Sequence, residues 1–288
     1  MKRHLSTIVG SRIGFIGGGK MSQAILSGLL AKKVFKPKNI MVSDPNPDRR
    51  QELKTMGVLT TSQNKKAVEN AGLIVFANKP QHCPFIFDEL KGKIERNALV
   101  LSICAGVQTK SFRNGLEHNK VVRSMPNTPS TIKKGCTVWY ASSECSESQL
   151  TETRKLLESF GVEEQVTHED YLDMATALSG TGPAYFFLLM ESLVDAGVHM
   201  GFPREIALKL VQSTALGSAD YAMIAGTHPT LLRNDITSPG GTTAAALYAA
   251  DKGNFRTVIS DAVWAAFERS KALNDVADDL SSNKRPTL

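Results

Sequence analysis

Two glycine-rich stretches hold the residues that could do chemistry in this chain. One is Asn234-Asp235-Ile236-Thr237-Ser238-Pro239-Gly240-Gly241-Thr242-Thr243, which runs into the apolar segment Ala244-Ala245-Ala246-Leu247. A helix beginning there leaves backbone N–H groups unpaired and carries a partial positive charge. Gly240 and Gly241 omit the side chains that would hold a ligand away from those donors. Such a terminus captures a phosphate or a carboxylate. The same residues also make an ordinary helix cap after a Pro-Gly turn. Local chemistry alone leaves both readings open.

The second stretch is Gly14-Phe15-Ile16-Gly17-Gly18-Gly19-Lys20-Met21-Ser22. As a P-loop, Gly14 and Gly19-Lys20 fit G-x-x-x-x-G-K, but Met21 stands where a hydroxyl would hold magnesium. As a dinucleotide fingerprint, Gly17 makes the tight turn and Gly19 admits the pyrophosphate. Ser22 then takes the position where helix and strand pack closely. An acidic residue, Asp44, follows the next strand, as the fingerprint requires. An Asp there binds ribose hydroxyls and disfavours a 2′-phosphate, whereas a nearby arginine accepts one. Asn46, Arg49 and Arg50 lie just beyond it, so NADH and NADPH both stay open.

The elements that must position these residues fall into two groups. Short apolar runs at 12–16, 40–42, 73–77, 99–103, 121–122 and 136–140 alternate with helical patterns up to about His168. Continuous apolar runs between helices predict a parallel sheet covered on both faces, a doubly wound α/β domain. Beyond His168 the strand signals stop, and helices are expected over 186–199, 203–223, 243–250 and 255–273. From Ile206 to Ala219 only Lys209 is charged, which predicts a helix buried against something, a second subunit being the simplest candidate.

The composition suits an enzyme of ordinary globular type. The chain has 288 residues, 42% hydrophobic and 22% charged, long enough for two domains with real cores. No apolar run reaches the roughly 20 residues of a membrane span. The net charge is +6, but its basic pairs are scattered without interleaved aromatics, which argues against nucleic acid. The four cysteines, Cys83, Cys104, Cys136 and Cys145, show no metal spacing and read as reduced thiols. The Met1-Lys2-Arg3-His4-Leu5 start is too short and polar for a secretory signal. A cytoplasmic location is expected, with a mitochondrial one left open.

Taken in order, further blocks carry a resemblance. They are Ala-Asn-Lys-Pro-Gln at 77–81, Ser-Ile-Cys-Ala-Gly-Val at 102–107, Val-Val-Arg-Ser-Met-Pro-Asn-Thr-Pro at 121–129, Ala-Leu-Ser-Gly-Thr-Gly-Pro-Ala-Tyr at 177–185 and Thr-Ser-Pro-Gly-Gly-Thr-Thr at 237–243. With the glycine loop at 14–21, they make the chain resemble pyrroline-5-carboxylate reductase over nearly its whole length. Asn78 and Ala250 depart from the pattern, where a small apolar and a larger apolar residue are usual.

The resemblance implies hydride transfer from NADPH or NADH to the C=N carbon of 1-pyrroline-5-carboxylate, giving L-proline. It implies a Rossmann-type domain over 8–166, a helical substrate-binding and dimerisation domain over 167–275, and a flexible tail at 276–288. It also implies a homodimer through the helical domain, with assembly into a larger ring left open. Cofactor contacts are expected from Gly17, Gly18, Gly19, Lys20, Met21, Ser43, Asp44, Arg49 and Asn64. Ala77, Lys79 and Pro80 should line the nicotinamide half, with Ala105, Met125, Pro126 and Asn127 as its floor. The substrate carboxylate is assigned to the backbone N–H groups of Gly241, Thr242 and Thr243 and the Ser238 hydroxyl, with Ile236 and Gly240 also expected at the substrate, and the imine nitrogen to the Thr243 hydroxyl. Residues 179–183 should break one helix and start another near the site. A β-hydroxyacid dehydrogenase of similar plan is the enzymatic rival, but His168, His199 and His228 show no acid partner by spacing and read as surface or capping residues. A non-catalytic dinucleotide sensor would have no need of the 237–243 loop.

Overall fold

The computed structural model describes residues 12–282, with side chains described to residue 273. The expectations for the first five residues and for positions 283–288 lie outside the described residues. The described residues divide into two compact units: 12–181 together with 266–282, and 182–265.

The first unit is built on an eight-stranded sheet. Its strands are β1 (Arg12–Ile16), β2 (Ile40–Ser43), β3 (Leu59–Thr61), β4 (Ala71–Phe76), β5 (Leu99–Ser102), β6 (Val121–Met125), β7 (Gly135–Ala141) and β8 (Gly161–Gln165). Helices α1 (Lys20–Ala31), α2 (Pro47–Thr55), α3 (Asn64–Val68), α4 (Cys83–Leu90), α5 (Thr109–Leu116), α6 (Glu147–Leu157) and α7 (Tyr171–Ala175) connect and cover it. The spatial order is β3-β2-β1-β4-β5-β6-β7-β8. The chain works outward from β1 in one direction and from β4 in the other, so the topological switch falls between those two strands. Two apolar cores flank the sheet. One gathers Ile13, Phe15, Leu26, Val75, Leu101 and Trp139; the other Ile16, Ile74, Phe76, Phe87, Val100 and Phe112. Continuous apolar strands between two cores are what the doubly wound reading requires.

The sheet departs from all-parallel at one place: β7 runs antiparallel to β6, and β8 is parallel to β7. The connection from β6 to β7 carries only the short turn Thr128–Ile132, too little chain for a parallel crossover. The strands that apolar runs did not signal, β3 and β8, are the two sheet edges. Their sequences, Leu-Thr-Thr and Gly-Val-Glu-Glu-Gln, are polar because an edge strand has one flank in water.

The second unit is helical: α8 (Gly182–His199), α9 (Arg204–Ala225), α10 (Pro229–Asp235) and α11 (Thr242–Lys252), followed by the first turns of α12 (Phe255–Ser282). Helix α12 runs past the end expected near residue 273, to Ser282. The short α10, unseen in the periodicity, starts at Pro229, and the His228 ring caps it by accepting from Thr230 N–H at 3.2 Å. The apolar faces of α8 and α9 are largely uncovered within the chain. Phe186, Phe187, Leu188, Ile206, Leu210 and Leu216 are all exposed. Among the described residues, no helix is long and apolar enough to cross a membrane.

Candidate active site

The sequence-derived cofactor residues of the first unit lie at or beyond the carboxyl ends of parallel strands. Gly17–Gly19 follow β1, Asp44 follows β2, Ala77–Pro80 follow β4, Ala105 follows β5 and Pro126–Asn127 follow β6. In an open α/β sheet this edge is where ligands bind. The loops after β1 and β4, at the switch point, are in contact: Ala77 N–H donates to Ile16 O at 2.9 Å.

Each glycine of the loop has a separate reason to be glycine. Gly17 has φ +98°, and a Cβ on it would lie 2.7 Å from Ala77 O. A Cβ on Gly18 would meet Leu53 Cδ1 at 2.5 Å. A Cβ on Gly19 would meet nothing within 4 Å, so that position faces open space. Gly19 is also the N-cap of α1, with no side-chain cap and no acidic residue in the first turn. An uncapped helix terminus next to open space fits a dinucleotide pyrophosphate. Ser22 donates to Gly17 O at 2.7 Å and is buried, which is the close helix–strand approach expected of it. Gly14 lies inside β1, and a Cβ there would collide with Ala67 O. A P-loop would need that glycine in the loop, so the P-loop reading fails.

Asp44, the residue expected at the adenosine ribose, is held by two backbone donors. Its Oδ2 accepts from Gly18 N–H at 2.8 Å and its Oδ1 from Asn46 N–H at 2.9 Å. A carboxylate has lone pairs left after these two bonds. Arg50 Nη1 donates to the Asp44 and Pro45 carbonyls at 2.7 and 2.8 Å, while Arg49 Nε lies 3.6 Å from Glu52. Ser43 donates to Asn64 Oδ1 at 2.7 Å, and Asn64 Nδ2 donates to Glu89 at 2.8 Å. Ser43 and Asn64 are therefore brought together, with Asn64 engaged at both ends of its amide.

On the nicotinamide side, Lys79 is exposed at the head of its turn. Asn127 acts as a strut: its Oδ1 accepts from Cys136 N–H at 2.9 Å and its Nδ2 donates to Ser179 O at 3.1 Å. Ser179 belongs to a π-helical turn, Thr176–Gly180, which precedes α8. Such turns recur at functional sites. Gly180 packs so closely on Met125 that a Cβ would lie 2.7 Å from its Cε. The break near 179–183 is thus a π turn resting on the loop after β6.

In the second unit, the 236–243 segment forms a turn into α11. Gly240 has φ +69° and an open Cβ position. Gly241 is the N-cap without a side-chain cap, and its own N–H is engaged with Ser238 O at 3.0 Å. That leaves Thr242 and Thr243 as the donors of the first turn, with exposed Ser238 and Ile236 beside them. His168 stacks on Tyr171, with ring centroids 6.4 Å apart. With His228 a cap and His199 closing α8, no histidine among these three is ion-paired among the described residues.

Comparison with known proteins assigns the family. Residues 169–273 match the model described as pyrroline-5-carboxylate reductase dimerisation, and 12–106 match that described as NADP oxidoreductase coenzyme F420-dependent. The chain is 36% identical to pyrroline-5-carboxylate reductase of Pisum sativum, over 91% of this chain and 96% of that one. It is 38% identical to the Synechocystis enzyme, over 91% and 98%. The chain belongs to the pyrroline-5-carboxylate reductase family. It is a Rossmann-type oxidoreductase dependent on NAD(P)H. A solved reductase from Coxiella burnetii superposes with a TM-score of 0.84 at 36% identity, covering 91% of this chain and 98% of that one. One from Plasmodium falciparum, solved with NADP bound, gives 0.85 at 30% identity, covering 93% and 99%.

Proposed function

We propose that this chain reduces 1-pyrroline-5-carboxylate to L-proline with NADPH or NADH, using the residues set out above. The observation that carries the reading is the uncapped start of α11, flanked by Gly240 and Gly241, in a chain that also bears an uncapped dinucleotide loop. The substrate is a small cyclic imine with a carboxylate. The Thr242 and Thr243 N–H groups and the Ser238 hydroxyl hold that carboxylate, aided by the helix terminus. The Thr243 hydroxyl bonds the imine nitrogen, which accepts its proton near neutral pH without a dedicated acid. Gly17, Gly19 and Asp44 hold the dinucleotide, and Ala77, Lys79, Pro80, Ala105 and Met125 orient its nicotinamide. The reduced nicotinamide supplies the hydride. Asn127 fixes the loop beneath it rather than touching it. Preorganised donors and orientation account for the acceleration.

The exposed apolar faces of α8 and α9 are the surface through which a homodimer forms, in keeping with the dimerisation model they match. Soluble expression with a dimeric mass in sedimentation tests that part.

The activity is tested by following loss of reduced nicotinamide with pyrroline-5-carboxylate and each cofactor in turn. Substrate-dependent oxidation is expected, and Thr243→Ala should lower kcat/KM by about tenfold or more, the worth of one hydrogen bond to a charged group. Absence of any substrate-dependent signal with both cofactors would sink the reading.

A further inference from the structure

Cys83 and Cys104 are a pair of thiols that imine reduction does not use. Cys83 is the first residue of α4, so its sulfur lies at the positive end of an eight-residue helix. Cys104 lies two residues beyond the end of β5. Both are buried, at 2% and 3% exposure. Both sulfurs rest on Asn78, in the loop that carries Ala77, Lys79 and Pro80. Asn78 Nδ2 donates to Cys83 Sγ at 3.3 Å, and the Cys104 thiol faces Asn78 O at 3.3 Å, Phe76 O at 3.6 Å and Asn78 Oδ1 at 3.8 Å.

The two thiols converge on Asn78, and their mutual influence sets them apart. The contact with Cys104 draws the Cys83 thiol below its ordinary range, assisted by Asn78 and opposed by burial. The same contact, together with burial and the Cys83 charge, pushes Cys104 well up. Cys83 is thereby the more acidic sulfur of the two. An attacking and a resolving thiol divide the work in this way. Cys136 and Cys145 differ: burial raises both.

The geometry points to Cys83 as a thiol oxidised by small hydroperoxides, with Cys104 closing a disulfide onto it. In the first step the Cys83 thiolate attacks one peroxide oxygen, the O–O bond breaks, and hydroxide leaves with a proton from solvent as water. Cys83 becomes a sulfenic acid. In the second step the Cys104 sulfur attacks the Cys83 sulfur, the S–O bond breaks, and the Cys104 proton leaves with the hydroxyl as water. Two electrons pass from the thiols to the peroxide. The disulfide removes the Cys104 anchor from the Phe76 and Asn78 carbonyls and the Asn78 bond to Cys83. The segment Ala77–Pro80 is then released from its position. Its effect on the nicotinamide rests on the reductase reading, whereas the cross-link itself does not.

The test treats the native full-length protein with graded hydrogen peroxide, blocks remaining thiols under denaturing conditions and maps the peptides by mass spectrometry. A Cys83–Cys104 cross-linked peptide should form before Cys136 or Cys145 is modified, and dithiothreitol should reverse it. Cys104→Ser should leave Cys83 as a sulfenic acid that dimedone traps. In direct binding measurements the cross-linked protein should hold reduced nicotinamide dinucleotide about tenfold or more weakly, the cost of misplacing one binding loop. Oxidation of Cys136 or Cys145 while Cys83 remains alkylatable would overturn the inference. So would a Cys83→Ala protein that loses dinucleotide affinity under peroxide as the parent does. Failure of the reductase reading has a different signature: the cross-link forms in a protein that shows no imine-dependent oxidation of either cofactor.

Discussion

Arg123 donates through Nη2 to Oδ1 of Asp173 at 3.1 Å, with both side chains buried. The same guanidinium reaches Glu169 through Nη1 at 3.2 Å. Glu169 in turn accepts from Thr109 N–H at 2.7 Å and from its hydroxyl at 2.5 Å, and Ser270 donates to Asp173 at 3.0 Å. One guanidinium on β6, two residues before Met125, thus ties the start of α5, α7 and the middle of α12 to the strand that carries the expected nicotinamide floor.

Removing one partner from such a buried network leaves charge unpaired, which costs far more than the net worth of the bridge. Arg123→Ala should lower unfolding free energy by about 3–5 kcal/mol, read from denaturant midpoints. Ser270→Ala, which removes one donor to a carboxylate, should cost about 1.5–3 kcal/mol, less than Arg123→Ala. Equal small losses from both would mean that the network contributes no more than its surface counterparts.

The glycine loop makes a separable prediction. Gly19→Ala adds a methyl group into open space, so thermal stability should hold while dinucleotide affinity falls. Gly17→Ala puts a side chain at φ +98° and against Ala77 O, so both should fall, with stability losing on the order of 1–3 kcal/mol. Calorimetric titration beside thermal melts reads the two effects. If Gly19→Ala binds like the parent, the pyrophosphate does not approach there.

In the proposed site Asp44 sets the choice of dinucleotide. Its carboxylate is fixed by Gly18 and Asn46 at the end of β2, where its charge opposes a 2′-phosphate. Asp44→Ser should raise the ratio of kcat/KM for NADPH over NADH by about tenfold or more, since Arg49 and Arg50 stay in place. An unchanged ratio would place the adenosine ribose elsewhere.

His118 couples stability to pH. It is buried and bonded to Ala98 O at 2.9 Å, and desolvation holds its pKa below the ordinary 6.5, outweighing the Ala98 bond, with Lys120 adding to the depression. The unfolded chain therefore binds the proton more readily. The stability from neutral His118 is full above pH 6.5 and declines as pH falls from there through the lower folded pKa. His118→Gln, which keeps a donor for Ala98 O, should flatten the decline in melting temperature between about pH 7 and 5. An identical slope in the two proteins would assign the decline to other groups.

Much of the site was legible in the chain because glycine and hydroxyl chemistry is local. Gly17, Gly19, Ser22 and Asp44 each answer a backbone requirement within one strand–helix–strand unit, β1 to β2, and all four are found in it. The apolar strands β1, β4 and β5 were equally clear, being buried on both faces. The polar edge strands β3 and β8 were not, since edges need no continuous apolar run. The state of Gly241 N–H was also hidden: whether it faces a ligand or Ser238 O depends on a turn geometry that composition does not specify.

The sequence by itself determined the two-part plan, the dinucleotide loop, the helix-start loop at 237–243 and, through ordered blocks, the family. Those signals depend on neighbours a few residues apart, whose spacing is set by the strand and helix repeats. Only the tertiary structure decided the antiparallel β7, the strut from Asn127 to Ser179, the clasp of Arg123 with Asp173 and Ser270, and the meeting of Cys83 with Cys104 on Asn78. Apart from β7, whose direction is set by its short connection and by pairing with β6, each joins side chains or backbone groups distant in the chain. Which of many polar groups become partners is settled when burial removes water as the alternative.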